Sequence, residues 1–367
     1  MSSEPEEVTR DDLEEIEEPD PQPEADAVSY GGTDFDVEGL VRRLDRGDII
    51  VPKFGEQDDS IETAGFQRNF VWRRPQMDRF VESLLLGYPI PGIFLVQQAD
   101  KRYLVLDGHQ RLRTLQDFYG GVHRGREFAL EAVAEGFQRL TYSTLTPELR
   151  RTLDNTFIQA TIVRTDGSPE SLDAVYQVFE RLNSGGTQLT PHEIRVALYA
   201  GTFIQFLTEL NSIGEWRDLY GLPSPRLRDQ ELVARIVALY VSPGTYRRPL
   251  KRYLNDFVGA HRSLENLSPE LIRHRFTSAA QLVREGPGSA ALRAGGGQVN
   301  AALTESIFVG LCRRLDADSP PEPDSVADAI EEMHGVDGFD QSISQATADE
   351  DSVRTRLAVA TKAFAAI

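Results

Sequence analysis

"YLVLDGHQRLRTLQDFYGG", residues Tyr103–Gly121, is the stretch on which the fold turns. It opens with a short apolar run of strand length. Asp107-Gly108 breaks the run, and helical spacing follows until Gly120-Gly121 stop it. A strand that turns on a glycine into a helix start is an arrangement that suits anions. The first helical amides have no intrahelical partner, and the helix dipole is positive there. Gly108 lets the backbone come close to a ligand, and Arg111 and Arg113 add guanidinium forks that fit phosphate. Asp107 can hold a divalent metal or cap the helix, and His109 can donate to a phosphate or transfer a proton. The plain reading stands beside this one: Asp-Gly after a strand is also a common turn with an N-cap.

Upstream, "RPQMDRFVESLLLGYPIP" reads as a helix with Pro75 in its first turn. Met77, Phe80, Val81, Leu84 and Leu85 fall on one face, and Gly87 and Pro89 end it. "GIFLVQQ" and "KRYLVL" are strands separated by a short polar turn, "FIQATIVRT" (157–165) is another, and "FDVEGLVRRL" forms a short amphipathic helix. "DIIVPKF" looks like a strand leading to "GFQRNFVW". Strands alternating with helices over 45–165 imply a mixed α/β layer. From Ser168 onward the periods are helical, beginning with "SPESLDAVYQVFERLNSGG" and then "TPHEIRVALYAG", where Thr190 and Glu193 form a capping box. The expected class is α+β: a small α/β domain over 35–166, a helical region over 167–315, and an acidic linker with a C-terminal helix over 316–367. Residues 1–34, rich in Glu, Asp and Pro, read as a disordered tail.

The net charge of −19 is unevenly spread. Residues 1–26 carry −11 and 315–353 carry −12, whereas 27–314 stand at +1. An acidic whole argues against broad affinity for nucleic acid, but a nearly neutral body leaves room for a local basic groove. The acidic N-terminus resembles neither a secretory nor a mitochondrial leader. No apolar run reaches the ~18 residues of a membrane helix, so a soluble cytoplasmic protein is expected. Cys312 is the only cysteine, which excludes an intramolecular disulfide and a CxxC metal site.

Four stretches in order, "FQRNFVW" (66–72), "ESLLLGYPIPGIFLV" (82–96), "LVLDGHQRLRTL" (104–115) and "VFERLNSGGTQLTPHEIR" (178–195), carry a family likeness. Together they resemble the amino-terminal domain of GmrSD-type modification-dependent restriction endonucleases, whose fold is related to the ParB and sulfiredoxin group. The resemblance covers roughly 45–240. It implies a nucleotide-binding, NTP-hydrolysing domain in prokaryotic defence against modified phage DNA. It further implies Mg²⁺ or another divalent ion arriving with the nucleoside triphosphate, and DNA as the target.

Carried over residue by residue, Asp107, Gly108, His109, Gln110 and Arg111 form the signature loop. Asp107, His109 and Arg111 take the catalytic roles, with Asp107 as the metal ligand. Gln67 and Arg68 match the family's Gln-Arg pair near the same pocket, and Arg113 adds a phosphate contact. Arg181, Asn183, Gly185 and Gly186 form a second polar loop facing it. The family's signature reads Asp-Gly-Gln-Gln-Arg, so His109 is a departure: an imidazole still donates as an amide does, but hydrolysis is lost if donor and acceptor are both needed at once.

Several of these residues also have plain structural readings. Trp72 and Phe70 suit a core as well as a base-stacking platform, Glu193 is explained by the capping box, and Asn183 to Gly186 make a helix C-cap without a ligand. No HNH-type nuclease site appears around His261, His274 or His334, and no P-loop exists. Three functions therefore stand: an NTPase acting with a separate nuclease partner, a nucleotide or DNA sensor without turnover, and a ParB-like nuclease that nicks DNA. Membrane attachment is not expected, and a homo-oligomer is allowed.

Overall fold

The computed structural model describes residues 29–51, 72–98, 100–182, 189–293, 297–317 and 319–367. The described residues up to Leu189 form one compact unit, and those from Thr190 onward form another.

The first unit is built on a five-stranded mixed sheet. Its chain order is β1 (Ser29–Asp36), α1 (Val37–Asp45), β2 (Ile49–Ile50), α2 (Arg74–Leu85), β3 (Ile93–Gln97), β4 (Tyr103–Asp107), α3 (His109–Gly120), the small hairpin of β5 (Val122–His123) and β6 (Arg126–Glu127), α4 (Pro147–Asp154), β7 (Phe157–Arg164) and α5 (Pro169–Leu182). The strand order is β1-β7-β3-β4-β2. β3 and β4 are antiparallel, as their short connection requires, while β3 with β7 and β2 with β4 are parallel. The two middle strands are buried and apolar, and β4 places Leu104, Val105 and Leu106 in the core.

Helix α2 follows its sequence pattern closely. Pro75 sits in the first turn, Met77, Phe80, Val81, Leu84 and Leu85 are all buried, and Gly87 leaves the helix with φ +72°. Asp78, on the same helix, is fully buried. Its carboxylate accepts from Arg74 Nε at 2.8 Å and from the amides of Glu131 and Ala132 at 3.1 and 3.0 Å. Arg74 lies over the Phe128 ring at 4.0 Å. One buried acid thus pins the 128–132 loop to α2.

Strand β1 begins earlier than the sequence suggests. The body was expected to start near Phe35, yet pairing with β7 runs from Ser29↔Arg164 to Asp36↔Phe157. The reason is physical: β1 is an edge strand held by backbone pairing, its side chains are mostly exposed, and it carries no apolar alternation to read. The rest of the expected acidic tail, residues 1–28, lies outside the described residues.

The second unit is helical: α6 (Pro191–Leu198), α7 (Thr202–Asn211), α8 (Gly214–Tyr220), α9 (Arg228–Val241), α10 (Leu250–Ala260), α11 (Pro269–Glu285), α12 (Ala301–Ala317), α13 (Pro323–His334), α14 (Phe339–Ser342) and α15 (Glu350–Ala365). Helix α12 is its axis and packs against α9, α11 and α15. Gly310 allows α15 to come close: a Cβ there would lie 2.6 Å from the Phe364 ring of α15. Cys312, two residues on and so on the opposite side of α12, is buried, and burial pushes its thiol pKa up. At the centre, Glu305 is fully buried between two guanidiniums. Its Oε2 accepts from Arg235 Nε of α9 at 2.8 Å, and its Oε1 accepts from Arg356 Nε and Nη2 of α15, the former at 2.8 Å. No described helix is long and apolar enough to cross a membrane. The fold is therefore α+β, a mixed sheet with helices followed by a mainly helical region, as the patterns imply.

Candidate functional site: the Asp107–Arg111 loop

The loop sits where the buried strand β4 ends. Gly108 is the N-cap of α3, with φ +102°. A Cβ at this position would fall 2.5 Å from Ile93 Cγ2. Backbone conformation and space therefore both demand glycine here.

Arg111 closes the loop. Its Nη2 donates to Asp107 Oδ2 at 2.7 Å, one helical turn back. Its Nη1 donates to the carbonyls of Pro91 and Gly92, the latter at 3.0 Å. These carbonyls precede β3, and Phe94 of β3 pairs with Asp107 of β4, so one guanidinium ties two adjacent strand ends together. Asp107 remains half exposed, and its Oδ1 takes no hydrogen bond from a described residue.

The other loop residues divide. His109 is buried at 7 % exposure, so it belongs to the wall of the site. Gln110 Oε1 accepts from the Trp72 amide at 3.2 Å, which joins the loop to the chain two residues before α2. Trp72 itself is half buried and meets Phe80 edge-on at 5.5 Å, the core role that was one of its two readings. Arg113 points elsewhere, because two residues along a helix turn about 200°. It donates to Gln116 at 2.9 Å, and Gln116 reaches Asp45 of α1 at 2.9 Å. Arg181 is exposed in the last turn of α5. Gln67, Arg68, Asn183, Gly185 and Gly186 lie outside the described residues.

In the helical unit, the capping box is present: Thr190 Oγ1 accepts from the Glu193 amide at 3.2 Å, and Glu193 Oε2 from the Thr190 amide at 2.6 Å. His192 is fully buried. Its Nδ1 lies 3.0 Å from Arg195 Nη1, and its Nε2 lies 3.2 Å from Gln230 Oε1. An arginine only donates, so Nδ1 is the bare nitrogen and Nε2 carries the proton. Burial, and then the Arg195 charge, hold the His192 pKa well below its ordinary 6.5.

This has a consequence with a definite sign. The unfolded chain takes up a proton below about pH 6.5 that folded His192 refuses. Stability from this group is complete above that pH and is lost below it, at up to about 1.4 kcal/mol per pH unit. Between about pH 7.5 and 5.5, wild type is expected to lose about 1.4 kcal/mol more unfolding free energy than His192→Gln. Denaturant titration at the two pH values reads this, and parallel pH dependence in both proteins contradicts it.

Sequence reasoning missed the Pro91 and Gly92 acceptors and the Asp78 anchor. The four-residue spacing of Arg74 and Asp78 was a readable signal, whereas the carbonyl acceptors emerge only from strand pairing. Among the described residues no three His, Cys, Asp or Glu side chains gather to hold a metal.

The ordered stretches, the strand–glycine–helix turn and the mixed sheet now meet a direct comparison. Residues 50–200 match the model of the GmrSD restriction endonuclease, N-terminal domain, family. This GmrSD region runs from β2 to α6 and includes the whole Asp107–Arg111 loop. It leaves β1, α1 and the helices from α7 onward outside the match. No curated protein matches the chain. The GmrSD family is named for a restriction endonuclease, so DNA restriction is the context in which its loop is to be understood.

Proposed function

We propose that the GmrSD region binds a nucleoside triphosphate at the Asp107–Arg111 loop and hydrolyses it. In this reading turnover gates a prokaryotic, modification-dependent restriction system whose DNA-cutting step belongs to a separate nuclease partner. One observation carries it: β4 ends in a left-handed glycine with an exposed carboxylate before it and the start of α3 after it. The first amides of α3 and its dipole favour a phosphate at that point.

A divalent ion fits this donor set in one way. A single half-exposed carboxylate suits an ion that arrives with the phosphates and keeps its waters, as Mg²⁺ does, and does not suit a resident metal cage. Asp107 would hold it, and its chemistry would be to neutralise phosphate charge. The protein's own part is positional. Arg111 orients Asp107 and fixes the two strand ends, Gly108 brings the backbone close, and His109 and Gln110 seal the wall.

A second reading, a nucleotide sensor without turnover, is favoured by the same guanidinium. Arg111 already spends its donors on Asp107 and two carbonyls, which leaves less of it for a transition state.

The test is phosphate release from each NTP with Mg²⁺, with and without DNA. Asp107→Ala is expected to remove turnover, and Arg111→Ala to lower it at least tenfold, about 1.4 kcal/mol of barrier. Nucleotide-dependent thermal stabilisation of wild type without phosphate release would establish the sensor instead. Absence of both signals would overturn the nucleotide reading.

A further inference from the structure

The helical unit contains a cavity of about 490 Å³, outside the GmrSD match, that the site above does not use. It lies between the turn at 242–248 and one face of α10, where residues 252, 253, 256, 257, 260 and 261 recur at helical spacing. Its size falls within the ~300–1,000 Å³ usual for small-molecule sites. In a chain of net charge −19, its wall carries Arg247, Arg248 and Arg252 against one acid, Asp256.

The three guanidiniums are not equally engaged. Arg248 is paired with Asp349, beside α15. Arg247 donates from Nη1 to its neighbour's carbonyl at 2.6 Å. The Arg252 side chain makes no hydrogen bond or ion pair with any described residue, and it is exposed at the cavity. An unpaired guanidinium facing a hollow is a fork for a phosphate.

The α10 side of the cavity also carries rings. The Phe257 and His261 rings stand 4.5 Å apart, and His261 Nδ1 is buried without a hydrogen-bond partner. A hydrogen-bonding ligand relieves such an orphan after a small rotation of the ring.

We propose that this cavity binds a nucleoside phosphate, with its phosphate on Arg252 and Arg247 and its base against Phe257 and His261. The base–ring contact adds area that inorganic phosphate lacks, so a nucleoside phosphate binds more tightly than phosphate alone. The same chemistry is presented by a free nucleotide and by the phosphorylated end of a DNA strand.

Calorimetric titration of the full chain separates these sources and separates this site from the loop. The probes are ATP, GTP, inorganic phosphate and a 5′-phosphorylated single-stranded deoxyoligonucleotide. The proteins are wild type, Asp107→Ala, Arg252→Glu and the double variant. Arg252 is exposed, so its reversal leaves the circular dichroism spectrum unchanged. Asp107→Ala is expected to keep one nucleoside phosphate per chain, and the double variant to bind it at least tenfold more weakly. The probe with the larger Arg252 dependence identifies the source. An effect of Arg252→Glu that is equal for inorganic phosphate and nucleoside phosphates overturns the aromatic half of the site. No Arg252-dependent binding of any probe overturns the whole. If Asp107→Ala changes nothing in wild-type binding, the loop reading falls, and the Arg252 comparison still decides the cavity.

Discussion

Glu305→Ala is expected to destabilise the helical unit by roughly 3–5 kcal/mol. The carboxylate is fully buried, and Arg235 and Arg356 stand at 6 % and 1 % side-chain exposure. Removing the acid leaves two guanidiniums facing each other with their shared counterion gone. Part of Arg356 is satisfied elsewhere, since its Nη1 donates to the Thr347 and Ser342 carbonyls at 2.6 and 3.3 Å. Those carbonyls hold the group in place and so keep the stranded charge buried. Trp216 gives the readout. It is buried, lies 5.3 Å from Phe308 on the same helix as Glu305, and can be isolated by replacing the chain's other tryptophan, Trp72→Phe. A urea midpoint for Glu305→Ala close to that of the Trp72→Phe parent would refute the argument. Replacing all three charges with apolar residues of similar volume is expected to cost far less than the single change, because it removes the desolvation penalty together with the attraction.

Gly108→Ala is expected to have the largest effect on the candidate site. The left-handed conformation costs a side chain about 1–2 kcal/mol, and the collision with Ile93 adds an overpacking cost of about 1–3. Gly121, at the other end of α3, is the control. It also has positive φ, at +72°, but nothing lies within 4 Å of a Cβ there, so Gly121→Ala pays only the conformational part. Thermal unfolding should place Gly108→Ala clearly below Gly121→Ala, and nucleotide binding at the loop should be lost in the first alone. Equal stabilities would mean that the contact with β3 does not hold the loop. Truncation at the neighbour, Ile93→Ala, should cost less in the Gly108→Ala background than in wild type, since it removes the atom that Cβ strikes.

What the sequence discloses here depends on how local the cause is. Helix α2 was legible because its burial follows a period of 3.6 and its ends carry proline and glycine. The β3–β4 pair was legible because a short polar turn leaves antiparallel pairing as the simple solution. The need for glycine at 108 could be read from the strand-to-helix change alone. Strand β1 was not legible, since pairing with β7 uses its backbone while its side chains face solvent. The Glu305 cluster was invisible for another reason: its partners lie 70 and 51 residues away, and no local pattern announces them. The loop was intermediate. Arg111 and Asp107 have helix-neighbour spacing, but that Arg111 also holds Pro91 and Gly92 follows from strand pairing. Arg113 was read as a phosphate contact beside Arg111, and the 100° step per residue turns it toward α1.

Cys312 offers a use of a different kind. It is the chain's single thiol, buried on α12 on the side away from Gly310, and burial raises its pKa, so it is inert while its cover holds. A thiol reagent in excess should therefore react only when the packing around α12 opens, and the labelling rate becomes a chemical clock for that opening. Run with and without nucleotide, the clock reports whether a ligand slows the breathing of the helical unit. Because the native thiol stays silent on short exposures, surface cysteines introduced elsewhere can be labelled without first removing it.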